Sequence, residues 1–231
     1  MATDLLSGTL TSLVNYAATT GGLGTAAYGL VDVSKAFWGG ISNAGFGHIK
    51  RALGPYEAAL RDTGTTSPME VLRANWLNGA PLSQQKANAK SLIRLGLSPK
   101  NAFGMAEATG IDPDALRTAA NKVDAGAALD PQDVGILARF DAIVDAVLDG
   151  AYERADQKYR NSSKGLSALI AIILAGVGGG VSHAQAGAFQ WLDYLTSQDF
   201  LVALLVGAIA SPLAPVAKDL SSYLAASARP D

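Results

Sequence analysis

Three acidic residues spaced four apart form the most regular chemical pattern in this sequence. Asp141, Asp145 and Asp149 follow one another at i, i+4 and i+8, a spacing that places side chains on one face of a helix. The pattern has two interpretations, a site for a cation or a basic partner and an ordinary solvated helix face. Like charges at this spacing repel by roughly 0.2–0.5 kcal/mol per pair. The solvated face is favoured, and the partner site stays open.

A second pattern is a basic and aromatic segment directly before a long apolar run. It consists of Tyr152, Arg154, Lys158, Tyr159, Arg160 and Lys164. A basic residue near a membrane surface gains about 1 kcal/mol of attraction to anionic lipids. We therefore predict that this segment contacts lipid headgroups. The alternative is that its charges only set the orientation of the adjacent apolar helix.

Composition excludes several other kinds of site. The chain has no cysteine, which excludes disulfides, thiolate zinc sites, iron–sulfur clusters and thiol catalysis. Its two histidines, His48 and His183, are far apart and lack the spacing of a helical zinc motif. No metal site, cofactor or catalytic residue is predicted, because no phosphate-binding loop or nucleophile motif occurs either. The net charge of −2 predicts no nucleic-acid partner.

The helices that position these residues can be predicted from the stretches of sequence that lack lysine and arginine. All 18 lysines and arginines lie within residues 35–164 or at Lys218 and Arg229. Apolar runs occupy the gaps, at residues 5–31, 165–181 and 200–217. Each run is about long enough to span ~30 Å of hydrocarbon as a helix, and the last two lack the polar stripe of a surface helix. We predict an all-α integral membrane protein with about three transmembrane helices. For the moderately hydrophobic first run, a buried or re-entrant helix is the alternative.

The distribution of basic residues also predicts a topology. Lysines and arginines flank the apolar runs on the side of residues 35–164 and at Lys218, whereas residues 182–199 have none. The positive-inside rule then places the N-terminus outside and the C-terminus in the cytoplasm. The predicted organisation has four parts: an N-terminal membrane segment (1–34), a cytosolic helical domain ending in a long connecting helix (35–164), a C-terminal transmembrane hairpin (165–217) and a cytosolic tail (218–231). Four aromatic residues lie just beyond apolar runs and are predicted to lie at the membrane interface, namely Phe37, Trp38, Trp191 and Tyr194.

The predicted cytosolic part contains several sequence signals for the start of a helix. Candidate N-terminal caps within residues 55–162 are Ser67, Ser83, Ser98, Asp112 and Asp130. Ser67 begins a capping box with Glu70, and three of the other caps directly precede a proline, which suits the first helical turn. These signals predict about five helices. The last begins at Pro131 and runs without another proline into the second apolar run. Pro212 and Pro215 are expected to kink or end the third run.

Small residues in the apolar runs predict close helix packing. They are Gly22, Gly24, Gly176, Gly180 and Gly207. Glycine lets helix backbones approach closely in lipid. Gly22 and Gly24 also have the outline of a dinucleotide-binding fingerprint, but no strand precedes them, so that interpretation fails. The glycines therefore indicate helix association within the chain or between chains.

The C-terminal half resembles a known group of proteins. Phe140–Asp141, Tyr152 and Gln157–Arg160 lead into one apolar helix, and Gly207, Pro212 and Lys218–Leu220 end another. Over roughly residues 135–222 this arrangement is similar to a group of bacterial inner-membrane proteins with a cytosolic helical region and a C-terminal membrane hairpin. The resemblance implies that architecture and a bacterial inner membrane. It carries over no activity.

Together these patterns predict a membrane-anchored scaffold or accessory subunit. Its partners would be the lipid bilayer and, through the small-residue helix faces, either further copies of the chain or other membrane-protein subunits. The alternative is a channel or transporter component whose pore forms on oligomerisation. Polar residues of the first run would line that pore, namely Thr11, Ser12, Asn15 and Thr19.

Overall fold

The computed structural model describes residues 19–37, 39–64, 66–184 and 191–227. All regular secondary structure in these ranges is helical, which confirms the all-α prediction. The helices are α1 (19–34), α2 (Asn43–Leu53), α3 (Glu57–Asp62), α4 (Pro68–Leu77), α5 (Leu82–Leu95), α6 (Ala102–Thr109), α7 (Pro113–Asp124), α8 (Pro131–Ala184), α9 (Trp191–Leu195) and α10 (Gln198–Ser227). Short 3₁₀ turns cover Gly40–Ser42 and Gly54–Tyr56.

The chain forms two compact units. One, the helical domain, is Ser42–Arg160, and the other, the apolar unit, combines Met1–Ile41 with Asn161–Asp231. Helix α8 has 54 residues and contributes to both. Its continuity confirms the prediction of one long helix from Pro131 into the second apolar run.

The helical domain is organised around a continuous hydrophobic core. Helix α8 contributes Phe140, Val144, Leu148 and Tyr152 to this core, each almost fully buried. Their four-residue spacing keeps them on one face of the helix. The other helices contribute large buried side chains such as Leu72 and Met105. Burying a side chain of this size stabilises a fold by roughly 1.5–3 kcal/mol, so this face of α8 stabilises the whole domain.

The predicted caps divide into those that are confirmed and those that are wrong. Asp112 accepts a hydrogen bond from the backbone N–H of Ala115 at 2.8 Å, which confirms it as the cap of α7. Asp130 is confirmed too, because its carboxylate accepts from the N–H of Asp133 at 2.9 Å. The pKa of Asp130 falls to about 2, first through this N–H and then through the ammonium of Lys122. The carboxylate of Asp133 in turn accepts from the N–H of Asp130, so the two residues form a reciprocal cap.

The three serine caps are wrong. Ser67 adopts a left-handed conformation with φ of 57°, and its side chain makes no capping hydrogen bond. Ser83 lies inside α5, which begins at Leu82. Helix α6 begins at Ala102, after Ser98, because Asn101 holds the preceding turn closed. The Asn101 side chain accepts from the N–H of Ser98 at 3.0 Å and donates to the carbonyl of Gly96 at 2.7 Å.

Helix α10 departs from prediction at its prolines. Pro212 and Pro215 lie inside the helix, which continues to Ser227, so the prediction that they could end it is wrong. Proline removes one backbone donor from a helix but does not always end it, because packing against neighbouring helices can hold the helix together. Here the hydroxyl of Ser211 lies 3.0 Å from that of Ser167 on α8, in a buried contact beside Pro212.

Two helices among the described residues are long and apolar enough to cross a membrane. They are α8 and the Gln198–Pro215 part of α10. In each apolar stretch only 22% of the residues are buried, whereas a core helix of a soluble protein is mostly buried. Of the first apolar run, residues 5–18 lie outside the described residues, so a third membrane span stays a prediction.

Candidate functional sites

The three aspartates of α8 form an ion-pair ladder with α5. Arg94 bonds Asp141 at 2.6 Å, Lys90 bonds Asp145 at 2.5 Å, and Lys86 bonds Asp149. Each step of four residues along α5 matches a step of four back along α8, so the two helices are antiparallel at this contact. The basic groups facing the aspartates thus come from the same chain. The basic partners on α5 offset the repulsion that the three aspartates would otherwise exert on one another.

The structure separates the basic and aromatic segment into two parts. Tyr152 is only 1% exposed and packs on Trp76 with ring centroids 6.5 Å apart. Burial raises its pKa to about 12. The prediction that Tyr152 contacts lipid is therefore wrong, because its position on the core face of α8 removes it from the surface. Tyr159 is half-buried and packs edge-on against the same Trp76, at 6.4 Å.

The basic side chains of this segment lie on the surface of α8. Arg154, Lys158, Arg160 and Lys164 are all exposed. Arg160 pairs with Asp156 at 2.7 Å. These basic side chains are exposed because Tyr152 and Ala155 occupy the side of α8 that faces the core in this part of the helix. Arg154, Lys158 and Lys164 remain available for lipid headgroups, whereas Arg160 would have to leave Asp156; the contact with lipid stays a prediction.

The glycines of the apolar unit fall into two groups. A Cβ added to Gly24 on α1 would lie 2.1 Å from the carbonyl oxygen of Ala210, and one on Gly207 would lie 2.5 Å from the Cα of Ile172. These two glycines thus bring α10 against α1 and against α8 within one chain. Gly176 and Gly180 are less tight, with nearest atoms at 3.8 Å and 3.3 Å, and Gly22 has open space.

An aromatic cluster closes one end of the apolar unit. Tyr194 in α9 is buried, and its hydroxyl donates to the carbonyl of Gly176 at 2.7 Å. The ring of Phe200 packs edge-on against it, with centroids 5.3 Å apart. The prediction of an interfacial Tyr194 overlooked α9, which turns the side chain inward.

His183 and Asp199 form a pair that sequence reasoning missed. Nδ1 of His183, in the last turn of α8, lies 3.1 Å from Oδ2 of Asp199, in the first turn of α10. A signal for the pair was present, because these are ionisable residues at facing ends of two apolar runs. The second apolar run was predicted to end at residue 181, whereas α8 continues to Ala184 and so includes His183.

A cleft opens between α1, α8 and α10. Its volume is about 780 Å³. Its walls are mainly apolar, with Leu23, Leu174, Val202 and Val206 among the lining residues. The polar residues Thr19, Ser182 and Asp199 also line it. The dimensions are those of a small-molecule pocket.

Comparison with known proteins identifies no relative. No family model, curated protein or solved structure matches the chain. The resemblance to bacterial inner-membrane proteins therefore stays a prediction. No cluster of three or more histidine and acidic side chains suited to a metal occurs in the part of the chain that the structure describes.

Proposed function

We propose that this protein is a membrane-anchored scaffold or accessory subunit of a bacterial inner membrane. The observation that carries the proposal is the continuity of α8. One 54-residue helix contributes core residues to the helical domain and also contains the most apolar stretch of the described chain. A helix built in this way belongs both to a folded domain and to a segment that is apolar enough to enter a bilayer.

The exposed cations of α8 support the same proposal. Arg154, Lys158 and Lys164 lie immediately before the apolar stretch, where anionic headgroups would meet them. In this proposal the N-terminus is outside, the C-terminus is cytoplasmic, and the helical domain faces the cytoplasm. Its surface is then the platform that partner subunits contact.

The close packing of Gly24 and Gly207 within the chain changes where association is expected. Because these glycines contact α10 and α8 of the same chain, they are unavailable to a partner. A glycine that remains for contacts between chains is Gly29 on α1, which has no neighbour within 4 Å of an added Cβ and does not line the cleft. A scaffold assembled from several copies would use that surface.

Native mass spectrometry of the protein extracted from its own membrane in mild detergent tests the proposal. A stoichiometric complex with another protein supports an accessory subunit, and a defined homo-oligomer supports a self-assembled scaffold. A bare monomer throughout a concentration series would contradict both. Complete release of the protein by alkaline carbonate washing would contradict the membrane anchor.

A channel or transporter component is the second candidate function. The cleft between α1, α8 and α10 favours it, because Thr19 and Ser182 add polar atoms to an otherwise apolar bundle. Reconstitution into vesicles separates the two candidates. Solute flux that requires this protein would replace the scaffold with a transport function, whereas tight vesicles would leave the scaffold in place.

A further inference from the structure

The cleft of the apolar unit has one polar end because of where helix termini fall. Thr19 is in the first described turn of α1, Ser182 is near the end of α8, and Asp199 is near the start of α10. Leu174 lies two helical turns before Ser182, about 12 Å along the axis at 1.5 Å per residue. The cleft therefore passes from polar residues at the helix ends to an apolar wall within the bundle.

Glycines keep this cleft open. Gly22 and Gly178 both line it, and a Cβ added to either would meet nothing within 4 Å. Helix packing does not require glycine at these positions, in contrast to Gly24, whose Cβ would collide with Ala210. The absence of side chains at Gly22 and Gly178 leaves space that an apolar chain can fill.

The charge at the polar end selects the headgroup. Among the residues lining the cleft, Asp199 is the charged one, and its side chain is 69% exposed. Residues 165–217 contain no lysine or arginine that could attract an anion. His183 lies beside the carboxylate, with its Nδ1 3.1 Å from Oδ2 of Asp199. An ammonium group offers three donors to such oxygen atoms.

We propose that the cleft binds a single-chain amphiphile with a primary ammonium headgroup. The ammonium lies between the carboxylate of Asp199 and the hydroxyl of Ser182, and the chain lies along Leu23, Leu174 and Val206. This site lies within the apolar unit and is independent of the scaffold function. A ligand there would fill the space between the three helices and stabilise their packing.

Dodecylamine is the probe that tests the site, with dodecanol and dodecanoate as matched controls. Native mass spectrometry of the full chain in nonionic detergent counts the bound molecules over a concentration series. We expect saturable binding of one dodecylamine per chain, with dodecanol about ten-fold weaker and dodecanoate weaker still, as for a charge-assisted hydrogen bond. Equal binding of the three probes, or binding that rises without saturation, would overturn the proposal.

Substitutions on α1 and α10 locate the site. Gly22→Leu fills the cleft and is expected to abolish saturable binding, whereas Gly29→Leu, on the same helix in open space outside the cleft, is expected to leave it intact. Asp199→Asn retains the shape and is expected to weaken dodecylamine by about ten-fold without affecting dodecanol. If Gly22→Leu lowers the melting temperature more than Gly29→Leu does, its loss of binding could reflect unfolding. The effect of Asp199→Asn on dodecylamine binding then tests the site by itself. Unchanged dodecylamine binding in Asp199→Asn would overturn the site.

Discussion

The ammonium of Lys90 lies 2.5 Å from a carboxylate oxygen of Asp145, at the middle of the ladder that joins α5 to α8. The neighbouring pairs are Arg94 with Asp141 and Lys86 with Asp149. Each charge in the middle pair therefore has like charges four residues away on its own helix and opposite charges across from it. The three successive ion pairs fix the register of the two antiparallel helices.

Exchanging the middle pair tests the ladder. Asp145→Lys places a cation opposite Lys86, Lys90 and Arg94, so thermal unfolding followed by circular dichroism should show a melting temperature lower by about 2–4 °C, equivalent to about 1 kcal/mol. The double variant with Lys90→Asp restores opposite charges across the helices and should recover most of the loss. High salt should reduce the difference. Equal destabilisation of the single and double variants would contradict the ladder.

The ladder could have been predicted from the sequence, because Lys86, Lys90 and Arg94 repeat the spacing of the aspartates with opposite charge. The burial of Tyr152 was also visible in the four-residue steps from Phe140, Val144 and Leu148. The prediction that Tyr152 contacts lipid relied on the neighbouring cations and ignored this four-residue spacing, which places Tyr152 on the buried face of α8. In contrast, the Ser67 cap failed because its backbone is left-handed. The cleft depends on how three distant helices meet, which periodicity does not specify.

Tyr152 makes the stability of the helical domain sensitive to alkaline pH. Its pKa is raised by burial to about 12, from an ordinary value of 10.0. Because the folded-state pKa is higher, the contribution to stability is complete below pH 10 and is lost as the pH rises from 10 to 12. Tyr152→Phe should lose less stability over that range and should unfold like the unmodified protein at pH 7. Melting temperatures measured from pH 7 to pH 11.5 check this. Identical slopes for both proteins would contradict it.

The exposed cations of α8 should govern retention of anionic lipid. Replacing Arg154 or Lys158 by glutamine should weaken binding of phosphatidylglycerol by about five-fold each, equivalent to about 1 kcal/mol. Tyr152→Phe should have no effect, since Tyr152 is buried. The measurement is the increase in melting temperature when phosphatidylglycerol, compared with phosphatidylcholine, is added to detergent micelles. Lys100→Gln, an exposed cation elsewhere in the helical domain, is the control. An equal effect of all three glutamine variants would mean that only net charge matters.

Two glycines on the same helix should differ sharply in their tolerance of a methyl group. Gly24→Ala places a Cβ 2.1 Å from the carbonyl oxygen of Ala210 and forces α1 away from α10, whereas Gly22→Ala meets nothing within 4 Å. Overpacking of this kind costs typically about 1–3 kcal/mol. Gly24→Ala should therefore lower the melting temperature in detergent and speed proteolysis, and Gly22→Ala should do neither. Similar behaviour of the two variants would contradict the close contact of α1 with α10.

The residues that precede α4 and α7, Ser67 and Asp112, predict opposite outcomes for two substitutions at helix starts. Asp112 accepts from the N–H of Ala115, so Asp112→Ala should destabilise the protein by about 0.5–2 kcal/mol. Ser67 has φ of 57° and makes no such bond. Because the left-handed conformation costs a non-glycine residue about 1 kcal/mol and glycine adopts it readily, Ser67→Gly should raise stability.

Ser67→Ala separates the backbone from the side chain at this position. It retains the strain and loses only a hydroxyl that makes no cap, so its melting temperature should remain close to that of the unmodified protein. Chemical denaturation of the three variants in the same detergent ranks them. Destabilisation by Ser67→Ala as large as that by Asp112→Ala would restore the capping box that the sequence predicts. It would also mean that the carbonyl of Ser67, which accepts from the N–H groups of Glu70 and Val71, is not sufficient to begin α4.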